Sequence, residues 1–500
     1  MPAGRTVRIP PHLAGVVSEI SSFLAADRAH AYLTGGSIRD TLLSRPVADL
    51  DISIDGDPLE VGPRLAEALG AVYFPLDTER RHARVLLSGD LLHVDLRPLR
   101  GPIEDDLRRR DFTIGALAVD LSEFARGAAA IIDPAGGVAD IESCTIRTLS
   151  ERALLDDPLR LLRGVRLAVQ LGFEVESDTA TLIDRHASTI RDCAPERQRD
   201  ELMLIMATDR AGDGLRLLES VGLLGAVLPE LDVMRGVGQP KEHHWDVFNH
   251  SIEAVAALDW LMLESPPDSE PQAALWDEAW TTFSWLPQAS SRWRSELAPG
   301  FSRVATLKLT ALLHDIGKPA TRSVEPDGRV RFFGHSDAGA DIARSLVERL
   351  RCPTVIVTHV RTMIDAHLRP LLMAMEGPPT RRAVYRFFRD TGDAGPDTLF
   401  LSLADHLATS GPRVTLDGWR RHVAVVSYIL ATNLDQPAAT ASAKLVGGDD
   451  LMMEFGLGPG PLVGEILGVI AEAQGTGEIT TRDEALEIAR RHLVRNDRSG

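Results

Sequence analysis

GGSIRD, residues Gly35 to Asp40, followed nine residues later by Asp49-Leu50-Asp51, decides how this chain is read. Gly35 and Gly36 end a strand and permit the tight φ/ψ of a helix start, leaving amide N–H groups for a triphosphate and Ser37 as a hydroxyl donor. Arg39 can reach phosphate with two parallel bonds, and Asp40 completes the motif. Asp49 and Asp51 lie two apart, so on an extended strand both carboxylates face one side. Their mutual repulsion raises a pKa, whereas a magnesium ion turns the pair into a clamp for triphosphate oxygens and an attacking hydroxyl. Taken alone, GGSIRD also reads as a plain strand-to-helix turn. It lacks the lysine ending of a P-loop and the third glycine of a dinucleotide fingerprint.

Around this stretch the residues from about 31 to 96 fall into short β segments, AYLTGG, DLDISID, AVYFPL, HARVLLS and LLHVDLR, with helices after Gly36 and around Pro63 to Leu69. Asp95, on LLHVDLR, can supply a third carboxylate from a neighbouring strand. The run RRRDFTIGALAVD sets Arg109, Arg110 and Asp111 beside apolar residues, either as a cationic patch for ribose and triphosphate or as a solvated turn. From about Leu149 apolar residues recur every three or four positions with no convincing strand, so the remainder reads as helical. The spacing predicts a head at 1–148, a neck at 149–230, a helical domain with most of the histidines at 231–410, and a tail at 411–500. Residues 260–300 carry five of the seven tryptophans and read as an insertion or long packed connection.

In the neck, Asp157 and Arg160 are three apart, Arg163 and Arg166 follow, and Leu159, Leu162, Val165 and Val169 form a separate apolar stripe. A carboxylate acceptor and a guanidinium donor on one helix can read the edge of a base; the same spacing also describes an ordinary helical ion pair. In ERQRDEL, Glu196 and Glu201 flank Arg197 and suit a charged brace.

The order GGSIRD, DLD, RRDFT, DPLRLLRGVRLAVQLGF and ERQRDEL, across roughly 31–206, resembles the bacterial CCA-adding and poly(A) polymerase enzymes, the second class of the nucleotidyltransferase superfamily. The resemblance implies an α+β chain: a small mixed-sheet, polymerase β-like head, then an all-helical neck, HD domain and tail. It implies Mg2+-dependent, template-independent addition of nucleotides from CTP and ATP to an RNA 3′ end, in CCA enzymes the tRNA 3′ end. Asp157 and Arg160 match the pair that selects the incoming base. Two departures are Gly115, where the family commonly has Asn, and Asp156-Asp157, where the neck often begins Glu-Asp. Farther on, His250 in VFNHSIEAV, His314-Asp315 in LTALLHDIGKPATRS, His335 in GHSDAGA, His359 in VTHVR and Asp405 in LADHL resemble the HD phosphohydrolase pattern. That pattern implies a divalent ion such as Mg2+, Mn2+ or Ni2+ and hydrolysis of phosphate esters. The competing readings are a poly(A) polymerase and a non-catalytic RNA-binding protein derived from a transferase.

Composition bounds these readings. A formal charge of -18 disfavours sequence-independent coating of long nucleic acid, and no DNA partner is expected. Local arginines, among them Arg97, Arg100, Arg108, Arg109 and Arg110, can still hold an RNA end. The 3 cysteines, Cys144, Cys193 and Cys352, lie far apart, which argues against a disulfide scaffold or zinc cluster. With no apolar run of membrane-spanning length, a cytoplasmic protein is expected.

Overall fold

Alternation builds the N-terminal sheet. Ala31–Thr34 (β1), Asp49–Ile54 (β2), Val72–Asp77 (β3), His82–Leu86 (β4), His93–Pro98 (β5) and Ala118–Asp120 (β6) lie in the spatial order β3-β4-β5-β2-β1-β6 in the computed structural model, which describes residues 5–87, 92–286, 289–375, 377–435 and 444–497. In β2, Leu50, Ile52 and Ile54 are buried at 1% exposure or less, which commits Asp49 and Asp51 to the opposite face. Strands β2 and β5 run parallel and the other neighbours run antiparallel, so the sheet is mixed. Edge strand β3 carries Pro75 and exposes Val72, Phe74 and Leu76. Between β1 and β2 runs the short helix Gly36–Leu42 (α1). Helix Pro58–Leu69 (α2) starts where the Asp57 side chain accepts from the Leu59 N–H, a turn earlier than the Pro63 start expected.

Two compact units divide the chain: Met1–Glu201 with Leu217–Val227, and Leu202–Arg216 with Leu228–Gly500. In the first unit, Glu151–Asp156 (α3) precedes Leu159–Leu171 (α4), which buries Leu161, Leu162, Val165 and Ala168 and turns Arg160, Arg163 and Arg166 away from them. The helix Pro195–Met206 (α5) carries Arg197 and Glu201.

The second unit contains Val247–Leu261 (α6), Glu270–Thr282 (α7), Arg303–Leu313 (α8), His335–Arg349 (α9), Thr354–Ala366 (α10) and Gly395–Ser410 (α11). Nearly every residue of α8 is buried, and its Lys308 is neutralised by Asp259 at 2.7 Å. The tryptophan-rich segment is a packed cover: Trp280 Nε1 donates to the Leu261 carbonyl at 3.0 Å, and Trp293 lies edge-on to Phe400 with centroids 4.5 Å apart. Gly448–Phe455 (α12), Pro461–Gly475 (α13) and Arg482–Asp497 (α14) close around Leu451, Ile466 and Ala485.

The expectation of no strand beyond the head needs correction. Thr145–Ile146 pairs with Glu174–Val175, Glu296–Ala298 with Phe301–Ser302, and Ser323–Val324 with Val330–Arg331. Runs of two or three residues are too short to leave a period-2 signature. No helix among the described residues is long and apolar enough to cross a membrane.

Candidate functional site

Asp49 and Asp51 share the open face of β2, and β5 brings Asp95 into register with Asp51. Burial, and then the charge of Asp51, pushes the Asp49 carboxyl above its ordinary range. A divalent cation held by the pair would relieve that repulsion, so the donor set fits one. Arg97 meets Asp51 Oδ1 at 3.1 Å. Asp95 is nearly buried, with both oxygens bonded to Arg84 at 2.7 and 2.8 Å.

The GGSIRD turn is tied to the carboxylates in ways the sequence does not announce. Gly35 adopts φ +72°, and a Cβ there would lie 2.6 Å from Arg110 Nη1 and 3.3 Å from Asp51 Oδ2. Glycine is required both by the backbone and by the close approach of the guanidinium. Next to it, Gly36 opens α1. The buried Ser37 hydroxyl donates to the Asp49 carbonyl at 3.0 Å and accepts from the Asp51 N–H at 3.1 Å. Its proton is therefore committed to holding β2, contrary to its expected use on a triphosphate. Arg39 is likewise closed, because its fork bonds both oxygens of Asp40 at 2.9 and 2.8 Å.

Beside the carboxylates lies a cavity of about 290 Å³ lined by Arg80, Arg97, Arg100, Arg109, Arg110 and Arg160, with Asp106 as its one carboxylate. Arg110 donates to the Thr34 hydroxyl at 2.8 Å and the Gly115 carbonyl at 3.3 Å. Six guanidiniums around one opening make an anion-attracting site. Arg80 and His82, from the turn and start of the β3–β4 hairpin, also line it and went unread in the sequence. Their signal is weak, because each stands among ordinary surface-like residues.

Asp157 stands outside α4, extended at φ -149°, before Pro158 opens the next turn. It therefore does not share a helix with Arg160, as the spacing suggested. Its oxygens accept from the Leu159 N–H at 3.3 Å and from Arg197 at 2.8 Å, while Arg160 donates to the Ala153 carbonyl at 2.8 Å. Arg163 bridges Asp111 at 3.1 Å and Glu201 at 3.2 Å, and Arg166 bonds Glu201 at 2.5 Å. Burial pushes the Asp111 carboxyl up, but Arg163 outweighs it and holds the group below its ordinary range. Asp111, Arg163 and Arg166 thus act as struts with Glu201, the bracing residue expected of ERQRDEL, instead of lining the arginine-walled cavity.

A second centre forms in the other unit. His250, His314 and Asp405 make one group of ligand atoms within 4.8 Å of each other, and Asp315, His335 and His367 make another. His250 Nε2 lies 3.2 Å from His314 Nε2, and His335 Nε2 lies 3.4 Å from His367 Nε2. The Nδ1 atoms of His314, His335 and His367 meet the carbonyls of Ala311, Phe332 and Ile364 at 2.7, 2.8 and 2.5 Å. A carbonyl only accepts, so these Nδ1 atoms carry the protons and each Nε2 lone pair turns inward, the arrangement a metal-binding histidine needs. Burial lowers His314, yet Asp315 and Asp405 outweigh it and raise its pKa to about 10, so without a cation its Nε2 carries a proton that a metal ion would displace to use the lone pair. The acidic, buried donor set fits divalent cations.

His359 is not part of this centre. Its Nε2 bonds Asp397 Oδ2 at 2.7 Å, and the same carboxylate accepts from Arg303 at 2.8 Å. His359 sits about 12 Å along the helical axis from position 367, so only the C-terminal end of α10 reaches the ligands. His367 was missed, although IDAHLRP repeats the pattern of His314, a histidine immediately after an apolar helix.

Three family models match: the poly A polymerase head domain over residues 31–147, the probable RNA and SrmB-binding site of polymerase A over 172–234, and the HD domain over 288–410. A CC-adding tRNA nucleotidyltransferase of Thermus thermophilus is 34% identical, covering 91% of this chain and 92% of the relative. An A-adding tRNA nucleotidyltransferase of Deinococcus radiodurans is also 34% identical, covering 92% and 95%. The solved Thermotoga maritima CCA-adding enzyme complexed with tRNA has 19% identity and a TM-score of 0.57, covering 99% of this chain and 100% of that one. At that identity the likeness shows the shared fold.

Proposed function

Because the chain belongs to the bacterial CCA tRNA nucleotidyltransferase and poly(A) polymerase family, we propose that it builds all or part of the CCA end on the 3′ terminus of tRNA, from CTP and ATP and without a nucleic-acid template. One observation carries this reading: two same-face carboxylates, Asp49 and Asp51, open beside a cavity walled by arginines. The terminal ribose hydroxyl attacks the α-phosphorus in line and releases its proton to solvent, the new 3′-O–P bond forms, the bond to the β-phosphate bridge breaks, and pyrophosphate leaves with that electron pair. Mg2+ held by Asp49 and Asp51 supplies electrophilic stabilisation of the phosphoryl oxygens. Arg97, Arg109 and Arg110 receive the triphosphate charge, while Gly35 and Gly36 let the backbone approach it. Arg39–Asp40 and Ser37 hold the turn in shape.

Asp157 and Arg160 choose the base. Arg197 orients Asp157, and Arg160 reaches the cavity from the neck. The head at 1–148, neck at 149–230, HD domain at 231–410 and tail at 411–500 divide these tasks in a cytoplasmic enzyme. The relatives' names, CC-adding and A-adding tRNA nucleotidyltransferase, support tRNA over unrelated RNA and catalysis over simple binding. Incubating the protein with tRNA lacking CCA, tRNA lacking only A, and an unrelated RNA, each with CTP, ATP or both, tests the proposal. Addition confined to the tRNAs supports it; long adenylate tails on unrelated RNA reject it.

The two adjoining ligand groups favour a second activity. His250, His314, Asp315, His335, His367 and Asp405 would hold a divalent ion such as Mg2+, Mn2+ or Ni2+, and that ion would supply the Lewis acidity that hydrolysis of phosphate esters such as RNA 2′,3′-cyclic phosphates needs. Lys318, bonded to Gln239 at 2.6 Å and 2.5 Å from Asp315, adds a cation beside the site. Metal analysis with a phosphodiesterase assay tests this reading, and absence of both metal and hydrolysis rejects it.

A further inference from the structure

Arg84, Asp95 and Asp51 form one row across β4, β5 and β2. Arg84 is the register partner of Asp95, and Asp95 is the register partner of Asp51. Directly opposed residues project from the same face, so Asp95 has a guanidinium on one side and the reactive carboxylates on the other. Arg84 bonds each Asp95 oxygen, at 2.7 and 2.8 Å, and the Asp95 side chain is 10% exposed. A bidentate pair of this kind is geometrically fixed and shielded from water. Asp49 and Asp51 are more open, and Asp49 registers their mutual repulsion.

Resting on the reading of the head as a cation-dependent transferase, we propose that Arg84 withdraws Asp95 from the cation-holding set. Asp49 and Asp51 hold the cation, and Asp95 is a positioning residue that locks β5 beside them through Arg84. The pair also sets the charge of the site. Without Arg84, a third carboxylate faces the cation; without both partners, the original balance returns.

The test uses the full chain and reads Mn2+ uptake that depends on CTP, by electron paramagnetic resonance of free Mn2+, so that ions in the histidine centre cancel. Asp95→Asn uncovers the Arg84 charge one strand farther from the cation and is expected to weaken binding by no more than about threefold. Arg84→Met is expected to tighten binding by about tenfold, as one uncovered opposite charge does at close range. The double variant Arg84→Met/Asp95→Asn is expected to return to the starting value, since the two positions act as one unit. Weakening of more than about tenfold in Asp95→Asn would make Asp95 a direct ligand and overturn the inference while leaving the transferase reading intact. An unchanged affinity in folded Arg84→Met also overturns it. Should Arg84→Met not fold, Asp95→Asn decides alone. Absence of CTP-dependent Mn2+ uptake in the unsubstituted protein overturns the transferase reading as well.

Discussion

Arg110 lies against Gly35 so closely that a methyl group on residue 35 would sit 2.6 Å from its Nη1. The same guanidinium bonds Thr34, which donates its hydroxyl to the Asp51 carbonyl at 3.2 Å. Turn, arginine and carboxylate are therefore one unit. Gly35→Ala adds strain at φ +72° and displaces Arg110. A stability loss of about 1–3 kcal/mol is expected, with loss of nucleotide addition. Thermal unfolding and CTP incorporation check this; unaltered values in both contradict it.

The proposed base choice rests on two residues held by different neighbours. Asp157 is fixed by Arg197 and Arg160 by the Ala153 carbonyl. Asp157→Ala and Arg160→Ala are expected to change the CTP-to-ATP incorporation ratio, and Arg197→Ala to reproduce the Asp157 effect more weakly. An unchanged ratio in both of the first two variants rejects the assignment.

Metal binding and fold stability separate between His367, just after α10, and the pair of His359 on α10 with Asp397 on α11. His367→Ala is expected to lower bound metal with a modest effect on unfolding. Asp397→Ala removes the Nε2 partner of His359 and leaves Arg303 with Asp393 alone, and is expected to cost about 1–3 kcal/mol of stability, as an unsatisfied buried polar group does, with the candidate ligand set intact. Metal content and denaturant unfolding of the two proteins distinguish these effects. Equal loss of metal from both would contradict the placement of His359 outside the centre.

The Asp111–Arg163 bridge predicts an acid-sensitive term. The folded-state pKa of Asp111 is depressed, so its contribution is fully present above the unfolded value of about 3.9 and disappears as pH falls through the folded value. Asp111→Asn is expected to lower the melting temperature at neutral pH and to flatten its fall below about pH 4. A fall as steep as that of the unsubstituted protein would contradict this.

Much of the head was legible because its signals are local. The two-residue spacing of Asp49 and Asp51 fixes their common face, and the glycine turn fixes where β1 stops. Partners across the fold were not legible. Nothing near Ser37 says that its hydroxyl will bridge two backbone groups of β2, and Arg39 meets its own neighbour instead of a ligand. Asp157 illustrates the limit of helical spacing, because Pro158 restricts the residue before it to extended backbone and removes it from the helix. His367 was hidden for another reason: histidines 32 residues apart, 335 and 367, converge only when α9 folds back on α10.

The most direct test is single-turnover nucleotide addition to a tRNA lacking CCA by Asp51→Ala, with unfolding measured on the same preparation. Loss of at least about a thousandfold in rate, with a melting temperature close to that of the unsubstituted protein, is the expected result. Near-normal turnover by a folded Asp51→Ala protein would contradict the central claim that Asp49 and Asp51 hold the reacting groups.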